Sequence, residues 1–118
     1  MARSCEPRDP IFFAPRHLEK LRVCVHDLSW LLERGYPPRS ARKFIGEVHQ
    51  LSKRQIMAVM RASCTDSSRQ KRLKGKTHKP VGDVYIDTFN LLILLERAWG
   101  GALVLRGRDR CLRDIAGV

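Results

Sequence analysis

The chain changes character at Pro80, and this change constrains its fold more than any other feature of the sequence. Residues 1–80 hold 18 Lys and Arg against 7 Asp and Glu, whereas residues 81–118 hold 5 of each kind. Apolar residues in the first part recur at three- and four-residue steps, and in the second part they form short continuous runs. We therefore expect a mixed α/β chain, with a basic helical module before an apolar α/β segment.

Three helices are predicted in the basic part. The first spans residues 16–34 and ends at Gly35, and the second follows Pro38, since proline cannot continue a helix. The third begins at Ser52, because Ser52 and Gln55 have the spacing of a capping box. The two short helices have the arrangement of a helix-turn-helix, whose second helix can enter a nucleic-acid groove. Three-helix bundles without nucleic-acid function share this pattern, so both interpretations stay open.

The excess of positive charge favours a polyanionic partner. The formal net charge is +11, and six of the cations lie in residues 69–79, which we interpret as part of an exposed basic linker. Gln55 is the one side chain near the start of the third helix that is suited to reading a base edge, so sequence-specific binding is not supported. The candidate phosphate-binding residues are Arg39, Arg42, Lys43, Lys53, Arg54, Arg61, Lys71, Arg72, Lys74, Lys76 and Lys79.

The part after Pro80 predicts a βαβ unit. Residues 81–86 are predicted as a buried strand, residues 91–99 as an apolar helix with Asn90 as its N-cap, and residues 102–105 as a second buried strand. Two parallel strands are too few for a sheet covered on both faces, so we expect a truncated domain or one completed by a protein partner or a second copy. The predicted organisation is an N-terminal tail (1–15), a basic three-helix module (16–68), a basic linker (69–80) and the βαβ segment (81–118).

Carboxylates follow both predicted strands. Asp87 ends the first strand, and Asp109 and Asp114 follow the second, so they could meet at the carboxyl edge of the sheet. We expect Asp87 and Asp109 to hold Mg²⁺ or Mn²⁺, Asn90 to bind a phosphate or a metal-bound water, and Asp114 to be an alternate ligand. The competing interpretation is structural, because an Asp after a strand often caps the next turn and several Arg beside Asp109 and Asp114 could pair with them.

Three stretches of the basic part resemble a known family. DLSWLLERGYP (27–37), LSKRQ (51–55) and RASC (61–64) are similar to the prokaryotic family called domain of unknown function 434, and the resemblance covers most of residues 16–75. In that family a second uncharacterised domain follows the first. It opens with a strand, an Ile-Asp-Gly-Phe-Asn type of motif and a helix, and later carries Arg-Asp-Gly and Leu-Arg-Asp stretches.

The apolar part matches the two signatures of that second domain. YIDTFN (85–90) and RGRDRCLRDIAG (106–117) carry them, although Thr88 and Arg110 stand where the motifs usually have Gly. The strand-Asp-x-x-Asn opening is also similar to that of PIN-like and NYN-type metal-dependent ribonucleases. The resemblance implies a nuclease-type domain, of which the later acidic residues would lie beyond Val118.

These observations favour a cytoplasmic nucleic-acid-binding protein, with RNA as its partner, whose basic module delivers substrate to a PIN-like segment that is inactive in this chain alone. The alternative is a helical protein–protein interaction module that does no chemistry. No membrane partner is expected, because the longest aliphatic run, residues 91–95, is far shorter than the roughly 20 residues that cross a bilayer. The N-terminus has no apolar core of a secretory signal.

Overall fold

The structure is a computed structural model and describes residues 6–77 and 79–115. Helices and strands are both present, as the sequence predicts. In chain order the elements are α1 (Asp9–Phe12), α2 (Pro15–Glu33), α3 (Pro38–Val48), α4 (Lys53–Ala62), α5 (Asp66–Lys74), α6 (Thr88–Trp99), β1 (Val104–Arg106) and β2 (Leu112–Asp114).

The core lies where α2, α3 and α4 meet. One stripe of α2 is fully buried, and α3 and α4 contribute the opposite wall. The short helix α1, in what the sequence suggests is a tail, packs on α4, and α5 packs on α2. The basic part therefore has five helices where three were expected. The buried core residues are Leu21, Cys24, Leu28, Ala41, Ile45 and Val59.

The connection between α3 and α4 is fixed by its own residues. Gln50 has a left-handed backbone with φ of 51°, and Leu51 N–H donates to the Gly46 carbonyl at 2.9 Å, which closes the end of α3. Ser52 accepts from the Gln55 N–H at 3.2 Å, and the Gln55 side chain accepts from the Ser52 N–H at 2.9 Å. The predicted capping box is confirmed.

Helix α4 has no free face to insert into a groove. It packs against α1, α2, α3 and both strands, and Lys53 is its single exposed residue. Gln55 is buried, and its amide donates to the Phe12 carbonyl at 2.8 Å, so it fastens α1 instead of reading a base. Groove insertion of the predicted kind would require α4 to leave these contacts, and the helix-turn-helix interpretation is corrected in this respect.

The predicted parallel βαβ unit is replaced by an antiparallel hairpin. Residues 81–86 form no strand and are exposed, whereas β1 pairs with β2 in the register Val104↔Asp114, Leu105↔Arg113 and Arg106↔Leu112. A short turn is enough to join antiparallel strands, and here Gly107 N–H donates to the Cys111 carbonyl at 2.9 Å. Arg110, in this turn, has a φ of 64°, a conformation that favours the glycine usual in the motif.

Helix α6 begins one turn earlier than predicted, because Asp87 and not Asn90 is its N-cap. It packs against both strands of the hairpin, but its other sides are exposed. Within residues 6–77 and 79–115, no helix combines the length and the hydropathy that crossing a bilayer requires.

Candidate nucleic-acid interface

Helix α5 and the loop after it occupy the place of the predicted basic linker. The Thr65 hydroxyl accepts from the Ser68 N–H at 3.1 Å and caps the start of the helix. Residues 66–74 are therefore helical, whereas the sequence predicted a linker from residue 69 onward. The helix cations fall on two faces, because Arg69 and Arg72 are three residues apart on one side and residues 71 and 74 lie on the opposite side.

The inward cations of this segment fasten the hairpin turn to the helices. All three donors bind consecutive residues of the turn, which lie more than thirty positions further along the chain. Arg69 Nε donates to the Arg108 carbonyl at 3.0 Å, Arg72 Nη1 to Asp109 Oδ2 at 3.1 Å, and Lys76 Nζ to the Arg110 carbonyl at 2.7 Å. Arg72 and Lys76, which were expected to bind phosphate, therefore hold the fold together.

Asp109 is the centre of this attachment. Its side chain is 1% exposed, and Arg113 donates to both carboxylate oxygens at 2.7 Å. The Cys111 N–H donates to Oδ1 at 3.1 Å. The hydrogen bonds from Arg113 hold the pKa of Asp109 well below its usual range, against the opposing effect of burial, so the carboxylate is ionised. Gly107 lies close beside it: a Cβ there would lie 2.6 Å from Arg113 Nη1 and 3.0 Å from Asp109 Oδ1, so the ion pair would have to shift.

Arg108 makes the second attachment, at the junction of α4 and α5. Its backbone N–H donates to the Ala62 carbonyl at 2.9 Å, and its guanidinium donates to the Cys64 carbonyl and to Asp66 Oδ1, both at 2.6 Å. The hydrogen bond from Arg108 lowers the pKa of Asp66. The hairpin is thus anchored to the basic helices on two sides of its turn.

The predicted metal ligands have other partners in this arrangement. Asp87 accepts from the backbone N–H of Asn90 at 3.4 Å and from its amide at 2.6 Å. Both oxygens of Asp109 accept from guanidinium groups, and Asp114 has one buried oxygen, Oδ2, without a hydrogen bond among the described residues. The described chain contains no group of three or more His, Cys, Asp or Glu side chains placed to hold a metal. As arranged, Asp109 does not fit a Mg²⁺ or Mn²⁺ ligand, because the ion would have to displace Arg113.

Some of the remaining candidate cations bind other side chains of the protein, and the others are exposed. Arg42 donates to Met60 Sδ at 2.8 Å, and Arg54 binds both oxygens of Asp9, at 3.0 and 2.6 Å. Arg61 is half-buried. The exposed candidates, which lie outside the ion pairs of the described residues, are Arg39, Lys43, Lys53, Lys71, Lys74 and Lys79.

Three residues that position the hairpin were not among the predicted site residues. They are Arg69, Arg108 and Arg113. The pairing of Arg113 with Asp109 could be suspected from the sequence, because the two residues are only four positions apart. The partners of Arg69 and Arg108 lie 39 and 42 residues away in the chain, and no local pattern points to them.

Comparison with known proteins agrees with the resemblance to the first family. Residues 20–74 match the model described as "Protein of unknown function (DUF434)". Residues 73–118 match the model described as "Domain of unknown function (DUF5616)", so the two matches meet at the end of α5. The hairpin that docks on α4 and α5 thus belongs to the second matched region.

One relative is an uncharacterized protein of Methanocaldococcus jannaschii, which is 31% identical over 101 residues. The alignment takes in 78% of this chain and 46% of the relative, so the chain spans about half the length of the relative. No solved structure matches.

Proposed function

We propose that this chain binds nucleic acid through Lys71 and Lys74 of α5 and Lys79 of the following loop, which we call the outward basic strip. The observation that carries the proposal is the division of cations in this segment. Arg69, Arg72 and Lys76 bind the hairpin turn, whereas the three lysines of the strip are exposed and have no part in that attachment. Exposed lysines at three-residue spacing on a helix can contact neighbouring phosphates.

The charge distribution supports this location. Two acidic groups lie at the start of α5, where Glu33 accepts from the Asp66 N–H and the Ser67 hydroxyl, and Asp66 is paired with Arg108. A third, Asp109, is buried and paired with Arg72 and Arg113. The other end of α5 and the loop after it carry no acidic residue up to Pro80. Positive potential is therefore concentrated at the strip, and the chain's net charge of +11 adds to it.

The expected binding mode is contact with the phosphate backbone. Helix α4 packs against three helices and both strands, and Gln55, the side chain of α4 expected to read a base edge, is buried. Binding of this kind is independent of sequence and weakens steeply with salt, because each phosphate contact releases counterions. Arg39 and Lys43, which are exposed one turn apart on α3, are further cations that can contact phosphate.

RNA is the nucleic acid we propose, because residues 85–90 are similar to the opening motif of PIN-like and NYN-type ribonucleases. We propose binding without cleavage by this chain, since Asp109 serves the attachment of the hairpin, with both oxygens bonded to guanidinium groups. The alternative function, a protein-interaction module, is favoured by the exposed apolar residues of α6, such as Phe89, Leu92 and Trp99.

The test is fluorescence anisotropy with a mixed-sequence single-stranded RNA at several salt concentrations. Replacing Lys71 and Lys74 by Ala should weaken binding about ten-fold and lower the slope of log K against log salt by about 2. The control replaces Arg16 and Lys20 of α2 by Ala, which removes the same charge elsewhere, and should change the affinity less than about two-fold.

Three results would contradict the proposal. Equal losses in the two double variants would mean that net charge, and not the strip, governs binding. Affinity that does not change with salt would exclude phosphate contacts. Equal affinity for single-stranded DNA of the same sequence would overturn the assignment to RNA.

A further inference from the structure

An apolar groove lies between the helices and the hairpin. Its volume is about 620 Å³, and its walls come from α2, α4 and the region of β1. Leu18, Leu21 and Val25 of α2 form one wall. Val59 and adjacent residues of α4 form the floor of the groove. A groove of this size and composition can accept a segment of another polypeptide.

The opposite wall of the groove is the edge of a strand. All three residues of β1, Val104–Arg106, line it, whereas the face of a strand would contribute every second residue. Within the described residues β1 is hydrogen-bonded to β2 alone, so its other edge is open. An open edge presents backbone N–H and C=O groups that an added strand can bind.

The chain also carries a segment suited to this edge. Residues 81–86 are rich in β-branched and aromatic side chains, form no strand and are exposed, with Val81 95% and Tyr85 93% accessible. An exposed β-prone segment and an open strand edge beside an apolar groove are complementary surfaces.

The charges of the two surfaces are complementary as well. The segment 81–87 contains Asp83 and Asp87 and no Lys or Arg. The groove is bordered by the exposed guanidinium groups of Arg22 and Arg106 and by His26. An acidic, apolar strand therefore fits this groove better than a basic one.

We propose that residues 81–86 of a second copy add as a strand to the free edge of β1, and that the exchange is reciprocal, giving a two-fold symmetric dimer. In the single chain, residues 81–86 precede α6, which packs on the hairpin while the segment itself stays exposed. Reciprocal addition covers both open edges and both exposed segments at once, which is the arrangement of an isologous interface.

The first test is the oligomeric state of the full chain, measured by sedimentation velocity and light scattering over a range of concentrations. We expect a dimer that Val84→Lys weakens at least about ten-fold, because a charge would enter an apolar contact. Val48→Lys is the matched control, since Val48 and Val84 are both 57% exposed and Val48 lies on α3. The control should change the dimer dissociation constant less than about two-fold.

The second test acts on the groove. Replacing Arg22 and Arg106 by Glu should weaken the dimer, and combining this change with Asp83→Arg and Asp87→Arg should restore it. Hydrogen exchange at the N–H groups of residues 103–106 that point away from β2 should slow as the dimer forms, whereas those of Gly107 and Arg108 are already hydrogen-bonded in the single chain. A monomer at every concentration would overturn the proposal, as would equal effects of Val84→Lys and Val48→Lys. Protection of those outward N–H groups in a monomer would overturn it too, because the segment would then be inserting into its own chain.

Discussion

Asp109→Asn is the most informative change in this protein, because one carboxylate binds both Arg113 within the hairpin and Arg72 of α5. The substitution keeps the shape of the side chain and its ability to accept from the Cys111 N–H. It removes the charge that pairs with Arg113 and Arg72, and its amide group turns a donor toward the Arg113 guanidinium. The hairpin should therefore open more easily and separate more easily from α5.

The expected cost follows from the burial of the three groups. Breaking a buried ion pair by removing one partner costs about 3–5 kcal/mol. The side chain of Asp109 is 1% exposed, but those of Arg113 and Arg72 are 28% and 48% exposed and can be solvated after the change. We therefore expect the lower end of the range, about 3 kcal/mol, for opening of the hairpin, because Asp109 and Arg113 both lie in it. Separation of the hairpin from α5 should become easier by about 1 kcal/mol or less, because Arg72 is the residue of α5 that binds Asp109 and it is half exposed.

Two measurements check this value. Hydrogen exchange at the Gly107 amide, which donates to the Cys111 carbonyl, reports opening of the hairpin, and exchange at the Arg108 amide, which donates to the Ala62 carbonyl, reports its separation from α4. Urea unfolding followed by circular dichroism reports the helices. Asp83→Asn, at an exposed carboxylate, is the control and should leave both unchanged. If Asp109→Asn altered the exchange of the Gly107 amide less than about three-fold, the reasoning would be refuted.

The ion pair of Asp109 with Arg113 determines the direction in which the stability of the protein changes with pH. The pKa of Asp109 is lowered in the folded protein, so its contribution is complete above the ordinary value of about 4 and is lost as the pH falls below it. The stability difference between the wild type and Asp109→Asn should be constant from neutral pH down to about 5 and should shrink in more acidic solution. A difference that grew on acidification would contradict the assignment.

Three further changes test the local geometry by urea unfolding. Ser52→Ala should lower the free energy of unfolding by about 0.5–2 kcal/mol, because it removes the acceptor for the Gln55 N–H, and an unchanged value would contradict the capping box. Gly107→Ala should cost about 1–3 kcal/mol, since the added Cβ would lie 2.6 Å from Arg113 Nη1. Gln50→Gly should raise the stability by about 0.5–1 kcal/mol, because Gln50 has a φ of 51°, and a loss would show that its side chain matters more than its backbone.

The sequence by itself determined the features that depend on neighbouring residues. The capping box at Ser52 and Gln55 joins groups three positions apart, and the buried stripe of α2 follows from the helical period. Both are local, so composition and spacing were enough to predict them. The division of charge at Pro80 was also visible, and it indicated where a polyanion could bind.

Only the tertiary structure decided which groups pair across the chain. Residues 81–86 have the higher strand propensity, yet residues 112–114 pair with β1, because a short turn brings them beside it. Arg72 and Asp109 are 37 positions apart, so a basic segment that resembles a solvated linker is in fact the support of the hairpin. The same contact takes Asp109 out of the predicted metal site, because a carboxylate binds whichever cation the fold brings to it, and here the fold brings two guanidinium groups.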